Sequence, residues 1–385
     1  MRFRSALAAQ PFGAIAEFKR RSPSAGDLRP AGDPAETARA YELAGATAMS
    51  VLVDERFAGS WDDLRAARGA TSLPLLAKGF FSTPDDLRRA REAGADAVLL
   101  ILRDVTDPVA TALLRAARSL GLDTLVEAHT AEEVDRAVAL DAPVIGVNAR
   151  DLSTFAIDRH AQLELVARAP RDRIVIAESA IATRAQAAAA ELAGANAVLV
   201  GSTLMRAADP GAKLRELMHR PLVKVCGLTR QEDVDAAVDA GADMVGFILA
   251  AESPRRTDAL LDAPDTVLRV AVFVGETRET DADLVQFYGR ENGHRSRDAV
   301  LLHDGRRVGA VVDLPWGERD ATHFERARST PGRVMLAGGL DPENVGEAIR
   351  EVRPWAVDSA RSTEAAPGVK HHETLRRWVA RANAA

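Results

Sequence analysis

The sequence predicts an α/β protein made of two consecutive (β/α)8 TIM barrels. The first observation is a phrase that returns four times, as "AGATAMSVL" from Ala44, "AGADAVLL" from Ala93, "AGANAVLV" from Ala193 and "AGADMVGFIL" from Ala240. Each copy follows a helical pattern and is typical of a helix end, a glycine cap and a buried parallel strand. The second observation is length, because 385 residues are many for one core and favour two domains.

Eight apolar runs bounded by turn residues precede about residue 203, and they alternate with helical patterns such as "PAETARAYELAG". In chain order the runs are "AIAEF", "AMSVLV", "LPLLAK", "AVLLIL", "DTLVEAH", "VIGVNA", "IVIAES" and "AVLVGS". Eight βα units in about 200 residues suit a closed barrel, which we assign to residues 1–217. A doubly wound open sheet is the alternative, but no G-x-G-x-x-G motif opens a helix.

A second series of eight apolar runs fills residues 221–385, with Pro221 at the joint. In order they are "LVKVCGLT", "MVGFIL", "RVAVFVG", "LVQFYG", "AVLLH", "GAVVDL", "RVMLAGGL" and "WAVDSA". Only "GETRETDAD" separates Val274 from Leu284, which is too short for a crossover helix and both of its loops. We therefore expect a second, compact barrel that lacks its third helix.

Composition narrows the classes of partner. The net charge of -6 argues against nucleic acid or an anionic membrane and leaves small phosphates and carboxylates. Cys226 is the single cysteine, which excludes an internal disulfide and fits a reducing compartment. Because there is neither a signal peptide nor an uninterrupted apolar stretch of about 18 residues, we expect a cytoplasmic protein. We recognise no cofactor motif and no metal-ligand spacing, so we expect neither cofactor nor metal.

Polar side chains follow the apolar runs of the first barrel, where the carboxyl ends of the strands are expected. They are Glu17 and Lys19, Lys78, Glu127, Asn148 with Arg150, Glu178 with Ser179, and Gly201 with Ser202. Reactive groups of such barrels lie at these ends, and charges on buried strands must be paired or change their pKa. Structural salt bridges around the rim are the alternative interpretation. "AESAI" and "VGST" place backbone N–H groups at helix starts after strands seven and eight, where barrels commonly hold a phosphate.

The motifs "IAEFKRRSPSAGDL", "PLLAKGFF", "LVEAHT", "IGVNARDL", "IAESAI" and "VLVGSTLM" closely resemble those of indole-3-glycerol-phosphate synthase, in the same order. The resemblance implies closure of the indole ring of 1-(2-carboxyphenylamino)-1-deoxyribulose 5-phosphate, with loss of carbon dioxide and water. It also implies that Lys78 is the general acid and Glu127 the base, and that Glu17 holds Lys19 toward the substrate. Asn148 and Glu178 would support catalysis. The anthranilate end would be bound by Ser22 and Arg150, and the phosphate by Ser179, Gly201 and Ser202.

The chemistry of ring closure fits these roles. Attack of an aromatic carbon on a ketone needs a proton for the carbonyl oxygen, and we expect cationic neighbours to lower the pKa of Lys78 into a useful range. The later dehydration needs a base such as Glu127. Two positions depart from the family pattern, since this chain has Gly79 where the family has aspartate and Ala180 where it has glycine.

The second series resembles phosphoribosylanthranilate isomerase in "VKVCGLTR", "SPRR", "AVFVG", "MLAGGLDPENV" and "VDSARSTEAAPGVK". The resemblance implies an Amadori rearrangement of N-(5-phosphoribosyl)anthranilate, with Cys226 as the base and Asp313 as the acid. It also places Arg255 on the anthranilate carboxylate and Gly338 and Gly339 on the phosphate. We expect a cationic neighbour to lower the pKa of the thiol.

Other functions remain as alternatives. The second barrel could be a non-catalytic structural or interaction module, and a common pocket for Cys226 and Asp313 would favour catalysis instead. A phosphosugar aldolase would need a Schiff-base lysine alone in an apolar pocket, whereas Lys78 belongs to an acid–base set. An isomerase of the histidine-pathway type would need two phosphate sites in one barrel, with aspartates as acid and base.

Overall fold

The computed structural model describes residues 1–151, 154–315 and 317–385. The chain forms two compact units, one of Met1–Ala182 with Ala190–Met218 and the other of Thr183–Ala189 with His219–Ala385. Each unit contains a closed eight-stranded barrel. Within the described ranges, no helix is long and apolar enough to cross a membrane.

The first barrel is entirely parallel and confirms the predicted (β/α)8 architecture. Its strands are β1 Gly13–Phe18, β2 Ala48–Leu52, β3 Leu75–Lys78, β4 Ala97–Ile101, β5 Asp123–Ala128, β6 Val144–Asn148, β7 Ile174–Glu178 and β8 Ala197–Val200. Each strand pairs with its neighbours in sequence, and β8 pairs with β1 to close the barrel. All eight strands coincide with the predicted apolar runs.

Helices connect and cover these strands. They are α1 Arg2–Ala8, α2 Pro34–Leu43, α3 Trp61–Ala70, α4 Pro84–Glu92, α5 Asp107–Ser119, α6 Ala131–Ala139, α7 Arg159–Arg168, α8 Arg184–Ala193, α9 Ser202–Arg206 and α10 Pro210–Met218. Local sequence sets their limits: Asp33 caps α2 in front of Pro34, and Thr83 forms a capping box with Asp86 at α4. The glycines of the repeated phrase end their helices with positive φ, as Gly94 does at 98°.

Helix α1 closes the end of the first barrel where the strands begin. Phe3 and Leu7 on this helix are fully buried and join a core cluster with Ile15, Leu125 and Ile176 from the strands. Burial of these large side chains stabilises the barrel by roughly 1.5–3 kcal/mol each. The polar side chains lie at the opposite end of the barrel, where the strands stop.

The second barrel differs from the prediction in strand direction. Its strands are β9 Leu222–Cys226, β10 Met244–Ile248, β11 Leu268–Val274, β12 Leu284–Tyr288, β13 Ala299–His303, β14 Arg306–Val312, β15 Arg333–Ala337 and β16 Ala356–Ser359. All eight predicted runs form strands, but β13 is antiparallel to both β12 and β14. A tight turn at Asp304 and Gly305, both with positive φ, joins β13 to β14 and leaves no room for a helix.

The second barrel also has fewer helices than predicted. The part that the structure describes contains four: α11 Gln231–Asp239, α12 His323–Ser329, α13 Val345–Val352 and α14 His372–Asn383. We expected one missing helix, but the connections after β10, β11, β12 and β13 all lack an α-helix. Among the residues that the structure describes there are also three short hairpins: Arg21–Ser22 with Gly26–Asp27, Arg290–Glu291 with His294–Arg295, and Glu364–Ala366 with Val369–Lys370.

Candidate active sites

Lys78 stands at the end of β3 among three buried carboxylates. Its Nζ lies 2.6 Å from Oε2 of Glu178, 3.6 Å from Oε2 of Glu17 and 3.9 Å from Oε2 of Glu127. These carboxylates come from β7, β1 and β5, so four strands contribute to one cluster. The structure thus brings Lys78 and Glu127 to the same barrel mouth.

Lys19 joins this cluster through an ion pair with Glu17. The Nζ of Lys19 lies 2.6 Å from Oε1 of Glu17, while Oε2 faces Lys78. The hydroxyl of Tyr41 donates to the Glu17 carbonyl and helps to hold the end of β1. Gly201, which follows β8, leaves the space that this pair occupies, because a Cβ there would overlap Oε1 of Glu17.

The pKa of Lys78 contradicts the sequence-based expectation. Burial alone would lower the pKa, but Glu178, Glu17 and Glu127 outweigh it and raise it well above the usual value. The expected lowering was wrong because the neighbours of Lys78 are anions rather than cations. Lys78 is therefore a stable ammonium group across the physiological pH range.

Glu127 and Glu178 have opposite pKa shifts in the same cluster. Burial raises the pKa of Glu178 to about 7, and the nearby Glu127 and Glu17 charges add to this in spite of Lys78. For Glu127 burial acts in the same direction, but contacts with His129 and Lys78 outweigh it and lower the pKa to about 2. Buried Oε1 of Glu178 also accepts no hydrogen bond from the described part of the chain, which suits a carboxyl that carries a proton. In spite of burial, Lys19 and Lys78 also lower the pKa of Glu17, so the cluster holds two ionised carboxylates and one protonatable carboxyl.

The predicted binding residues of the first barrel lie around the same strand ends. Asn148 ends β6 and accepts a hydrogen bond from the backbone N–H of Arg150, whose guanidinium donates to the Phe155 carbonyl. Ser22 is buried and lies 3.2 Å from the hydroxyl of Ser24. The remaining predicted positions are Ser179 after β7 and Ser202 at the start of α9.

Ser179 and Ala180 both have positive φ, 71° and 56°. A side chain in this left-handed region costs about 1–2 kcal/mol, which glycine avoids. We therefore expect Ala180→Gly to stabilise the first barrel by about 1 kcal/mol, measured as a higher urea midpoint of unfolding. Ala112→Gly, in the exposed middle of α5, is the control and should destabilise by about 1 kcal/mol. A lower midpoint for Ala180→Gly would contradict the strain.

Gly201 offers a test of the Lys19–Glu17 pair. A Cβ at this position would overlap Oε1 of Glu17 and lie 3.0 Å from Nζ of Lys19. We expect Gly201→Ala to displace the pair and to lower kcat/KM of the first barrel by about ten-fold or more, since small misplacements of catalytic groups are costly. Gly69→Ala on α3 is the matched control, because a Cβ added there would meet no described atom within 4 Å and activity should not change. Unchanged kinetics of Gly201→Ala would show that the pair is not needed.

Cys226 and Asp313 line one cavity of about 450 Å3 in the second barrel. Cys226 ends β9, and Asp313 follows β14. The same cavity is lined by Arg255, Gly338 and Gly339. Five predicted residues therefore meet at one place, as the catalytic interpretation requires.

The pKa of Cys226 also differs from the expectation. The side chain is 4% exposed, and burial raises the pKa of the thiol even though Nζ of Lys224 lies 3.2 Å from the sulfur. The expected cationic neighbour is present, but it shares its charge with Asp358 at 3.1 Å. Desolvation of the thiolate therefore outweighs the attraction to Lys224.

Asp313 lies at the end of a buried chain of hydrogen bonds that sequence reasoning missed. Lys224 donates to Gln286 at 2.6 Å, Gln286 donates to the hydroxyl of Tyr288 at 2.8 Å, and Tyr288 donates to Asp313 at 3.0 Å. Arg295, on the hairpin after β12, donates to the same Asp313 oxygen at 3.2 Å and stacks over the Tyr288 ring. Alternation along β12, which directs Gln286 and Tyr288 to one face, is the signal that could have revealed them.

Arg255 and the two glycines occupy the rim of this cavity. The Nε and Nη2 atoms of Arg255 form a bidentate ion pair with Glu364, at 2.8 and 2.7 Å. Gly338 and Gly339 have positive φ after β15, and a Cβ on Gly338 would overlap the backbone of Leu314. The backbone can therefore make this turn only with glycine at position 338. Across the described ranges, no group of three or more His, Cys, Asp or Glu side chains is arranged to hold a metal ion.

The fold and the two groups of ionisable side chains define a protein of two barrels, each with a cluster of ionisable side chains at its strand ends. A family model described as indole-3-glycerol phosphate synthase matches residues 1–217, more than half of the chain. The chain therefore belongs to the indole-3-glycerol phosphate synthase family. A second family model, described as N-(5'phosphoribosyl)anthranilate (PRA) isomerase, matches residues 294–381.

Several proteins of known name are similar to this chain. Indole-3-glycerol phosphate synthase of Mycolicibacterium vanbaalenii is 46% identical over 215 residues, which are 56% of this chain and 79% of that protein. A multifunctional tryptophan biosynthesis protein of Phycomyces blakesleeanus is 32% identical and covers 96% of this chain, which spans 62% of that protein. The solved phosphoribosyl anthranilate isomerase of Thermus thermophilus is 30% identical over 42% of this chain and 97% of its own, with a TM-score of 0.34. This chain thus combines a synthase and an isomerase domain of tryptophan biosynthesis.

Proposed function

We propose that residues 1–217 close the indole ring of 1-(2-carboxyphenylamino)-1-deoxyribulose 5-phosphate, with loss of carbon dioxide and water. The observation that carries this proposal is the position of Lys78, whose Nζ lies within 4 Å of three carboxylates from three other strands. Lys19, Ser22 and Arg150 supply cationic and hydroxyl groups nearby for a substrate that is anionic at both ends. The phosphate end of the substrate binds at Ser179, Gly201 and Ser202.

The geometry of the first site supports a sequence of proton transfers. A bond forms between the aromatic carbon that bears the carboxylate and the ketone carbon, and the Lys78 ammonium donates a proton to the ketone oxygen. Glu178, with a pKa of about 7 and a contact of 2.6 Å, returns a proton to Lys78. Carbon dioxide then leaves. The hydroxyl then departs as water with a proton from the Lys78 ammonium, which Glu178 has restored. Ionised Glu127, with Asn148 beside it, takes the proton from the former sugar C1, which completes the double bond of the indole ring.

For residues 221–385 we propose an Amadori rearrangement of N-(5-phosphoribosyl)anthranilate, which forms the substrate of the first barrel. Cys226 as thiolate removes the proton from the sugar C2, and Asp313 gives a proton to the furanose oxygen as the ring opens. The Nη1 edge of Arg255, opposite the edge that Glu364 holds, faces the anthranilate carboxylate, and Gly338 and Gly339 hold the phosphate.

The test uses the purified full chain with each substrate in turn. We expect indole-3-glycerol phosphate from the carboxyphenylamino substrate, and the same product from phosphoribosylanthranilate when both barrels act. Absence of product from the first substrate would overturn the proposal for residues 1–217. Product from the first substrate but not from phosphoribosylanthranilate would leave the second barrel as a structural or interaction module.

A further inference from the structure

We propose that His129 is a positioning residue of the ring-closing site, which pairs with Glu127 on the side away from Lys78 and keeps that carboxylate ionised and oriented. This inference rests on the proposed role of Glu127 as the base. His129 follows β5 directly, two residues after Glu127, so that both side chains leave the strand on one face. Neither family resemblance assigned a role to this histidine.

The contacts of Glu127 divide between two cations. Its Oε1 lies 3.3 Å from Nε2 of His129, while its Oε2 lies 3.9 Å from Nζ of Lys78. Lys78 is itself closer to Glu178 and Glu17. One ammonium group therefore faces three carboxylates, and His129 supplies the additional positive charge that Glu127 needs when buried.

Helix α6 fixes the His129 ring from the other side. Thr130 caps this helix, and Glu133 in its first turn accepts the backbone N–H of His129 at 2.7 Å. The same Glu133 oxygen lies 3.3 Å from Nδ1 of the ring. Each ring nitrogen lies 3.3 Å from a carboxylate oxygen, which favours the positively charged ring, although Nε2 is not aligned for a hydrogen bond with Glu127 and the attraction there is that of an ion pair. The motif "EAHTAEE" thus contains the base, its partner and the residue that anchors the partner.

Charge around His129 agrees with this geometry. Its side chain is 11% exposed, and burial would lower the pKa of the imidazole, but Glu127 and Glu133 outweigh it and raise the pKa to about 9. Beyond these two carboxylates lie Lys78 on the side of Glu127 and Arg136 on the side of Glu133. His129 is thus an imidazolium at neutral pH, and Glu127 is ionised beside it.

His129→Gln tests the inference in the full chain, with His160→Gln as the matched control. His160 also pairs with a glutamate four residues later, Glu164, but this pair is exposed on α7. We expect His129→Gln to lower kcat for ring closure about ten-fold with little change in KM, because the base is misplaced while substrate contacts remain. Loss of a cation raises the pKa of a carboxylate by about 1–3 units. From a pKa of about 2 in the unchanged protein this leads to about 3–5 in the variant. The variant should therefore lose further activity as the pH falls from 6 to 4, and His160→Gln should not.

Glu133→Gln gives the opposite pH dependence. It removes one of the two carboxylates that keep His129 protonated, so the pKa of the ring falls and the ring becomes neutral as the pH rises. We expect its defect to grow from pH 6 to pH 8, whereas that of His129→Gln grows as the pH falls. In the unchanged protein, the NMR signal of His129, assigned by its absence from the His129→Gln spectrum, should remain that of an imidazolium at pH 8.

These results separate the inference from the proposed function. An unchanged protein that makes no indole-3-glycerol phosphate would contradict the proposed function. An active protein in which His129→Gln keeps the normal kcat and pH profile would overturn the role of His129 alone, as would a neutral His129 ring at pH 8. If His129→Gln does not fold, the pH profile of Glu133→Gln decides the question, and the NMR signal of His129 in the unchanged protein is then assigned by its shift in Glu133→Gln, whose carboxylate contacts the ring.

Discussion

Replacing Lys78 with methionine is expected to lower kcat for ring closure by about 10²- to 10⁴-fold, the usual contribution of a positioned acid. Methionine keeps most of the apolar stem but removes the ammonium group that faces Glu178, Glu17 and Glu127. The ketone oxygen then has no proton donor, and charge that develops on it is not stabilised. The rate of indole-3-glycerol phosphate formation measures the effect.

Stability of the same variant should depend on pH in a defined direction. Leaving a buried carboxylate without its cation costs roughly 3–5 kcal/mol, and Glu178 can avoid this cost only by binding a proton. A carboxyl whose pKa is raised in the folded state binds more protons there than when unfolded, so the stability that it contributes falls as the pH rises from about 4.3 toward that pKa. We therefore expect the Tm of Lys78→Met to decrease from pH 5 to pH 8 more than that of the unchanged protein.

Lys213→Met is the control for Lys78→Met. Lys213 on α10 pairs with Glu216 at 2.6 Å and is partly exposed. Its loss should leave the rate of ring closure unchanged, because a surface pair contributes little. Ring closure by Lys78→Met at more than a tenth of the normal rate would contradict the assigned role of Lys78.

Cys226→Ser is expected to lower kcat/KM for the isomerisation by about 10²- to 10⁴-fold and to leave ring closure unchanged. A serine hydroxyl does not ionise in the accessible pH range, so the base is lost while the cavity keeps its shape. Since Cys226 is the single cysteine of the chain, no other thiol can substitute for it. Formation of the carboxyphenylamino product from phosphoribosylanthranilate measures the effect, and ring closure in the same sample is the internal control.

The pH profile of the isomerisation gives a second measurement on Cys226. Burial raises the pKa of this thiol, so the reactive thiolate accumulates only above the ordinary value of about 8.5. We expect kcat/KM of the unchanged protein to increase as the pH rises from 7 to above about 8.5. A profile that is already flat at pH 7, or an active Cys226→Ser variant, would assign the base to another group.

Much of the fold could be predicted from local patterns. All sixteen apolar runs form barrel strands, because a short apolar run between turn residues is typical of a buried strand. The direction of β13 was missed, although "HDGRR" contains the Asp304–Gly305 pair that is typical of a two-residue hairpin. Expectation of a regular repeat outweighed this local signal. Short connections explain the missing helices after β11, β12 and β13, whereas the connection after β10 spans residues 249–267 and is not short.

Lys78 lies near Glu127, and Cys226 and Asp313 line one cavity, as the sequence predicted, but the electrostatics of these residues were not predictable. Lys78 and Glu127 could be expected together because parallel strands end at one mouth. The pKa of Lys78 and that of Cys226 were predicted with the wrong sign. Each depends on a sum of burial and charges from residues far apart in sequence, such as Glu178 near Lys78 and Asp358 near Lys224. His129 was overlooked because its proposed role depends on a contact in which the Glu133 side chain, in the first turn of α6, accepts the backbone N–H of His129.

The sequence by itself determined where strands and helices begin and end, and which polar residues lie at the ends of the strands. These features depend on backbone preferences and apolar periodicity, which act over a few neighbouring residues. Only the tertiary structure decided that β13 is reversed, that Lys78 faces anions, and that His129 pairs with Glu127. Electrostatic interactions and strand pairing involve residues that are distant along the chain. The pKa values and the strand directions are therefore set only when the closed barrel brings these residues together.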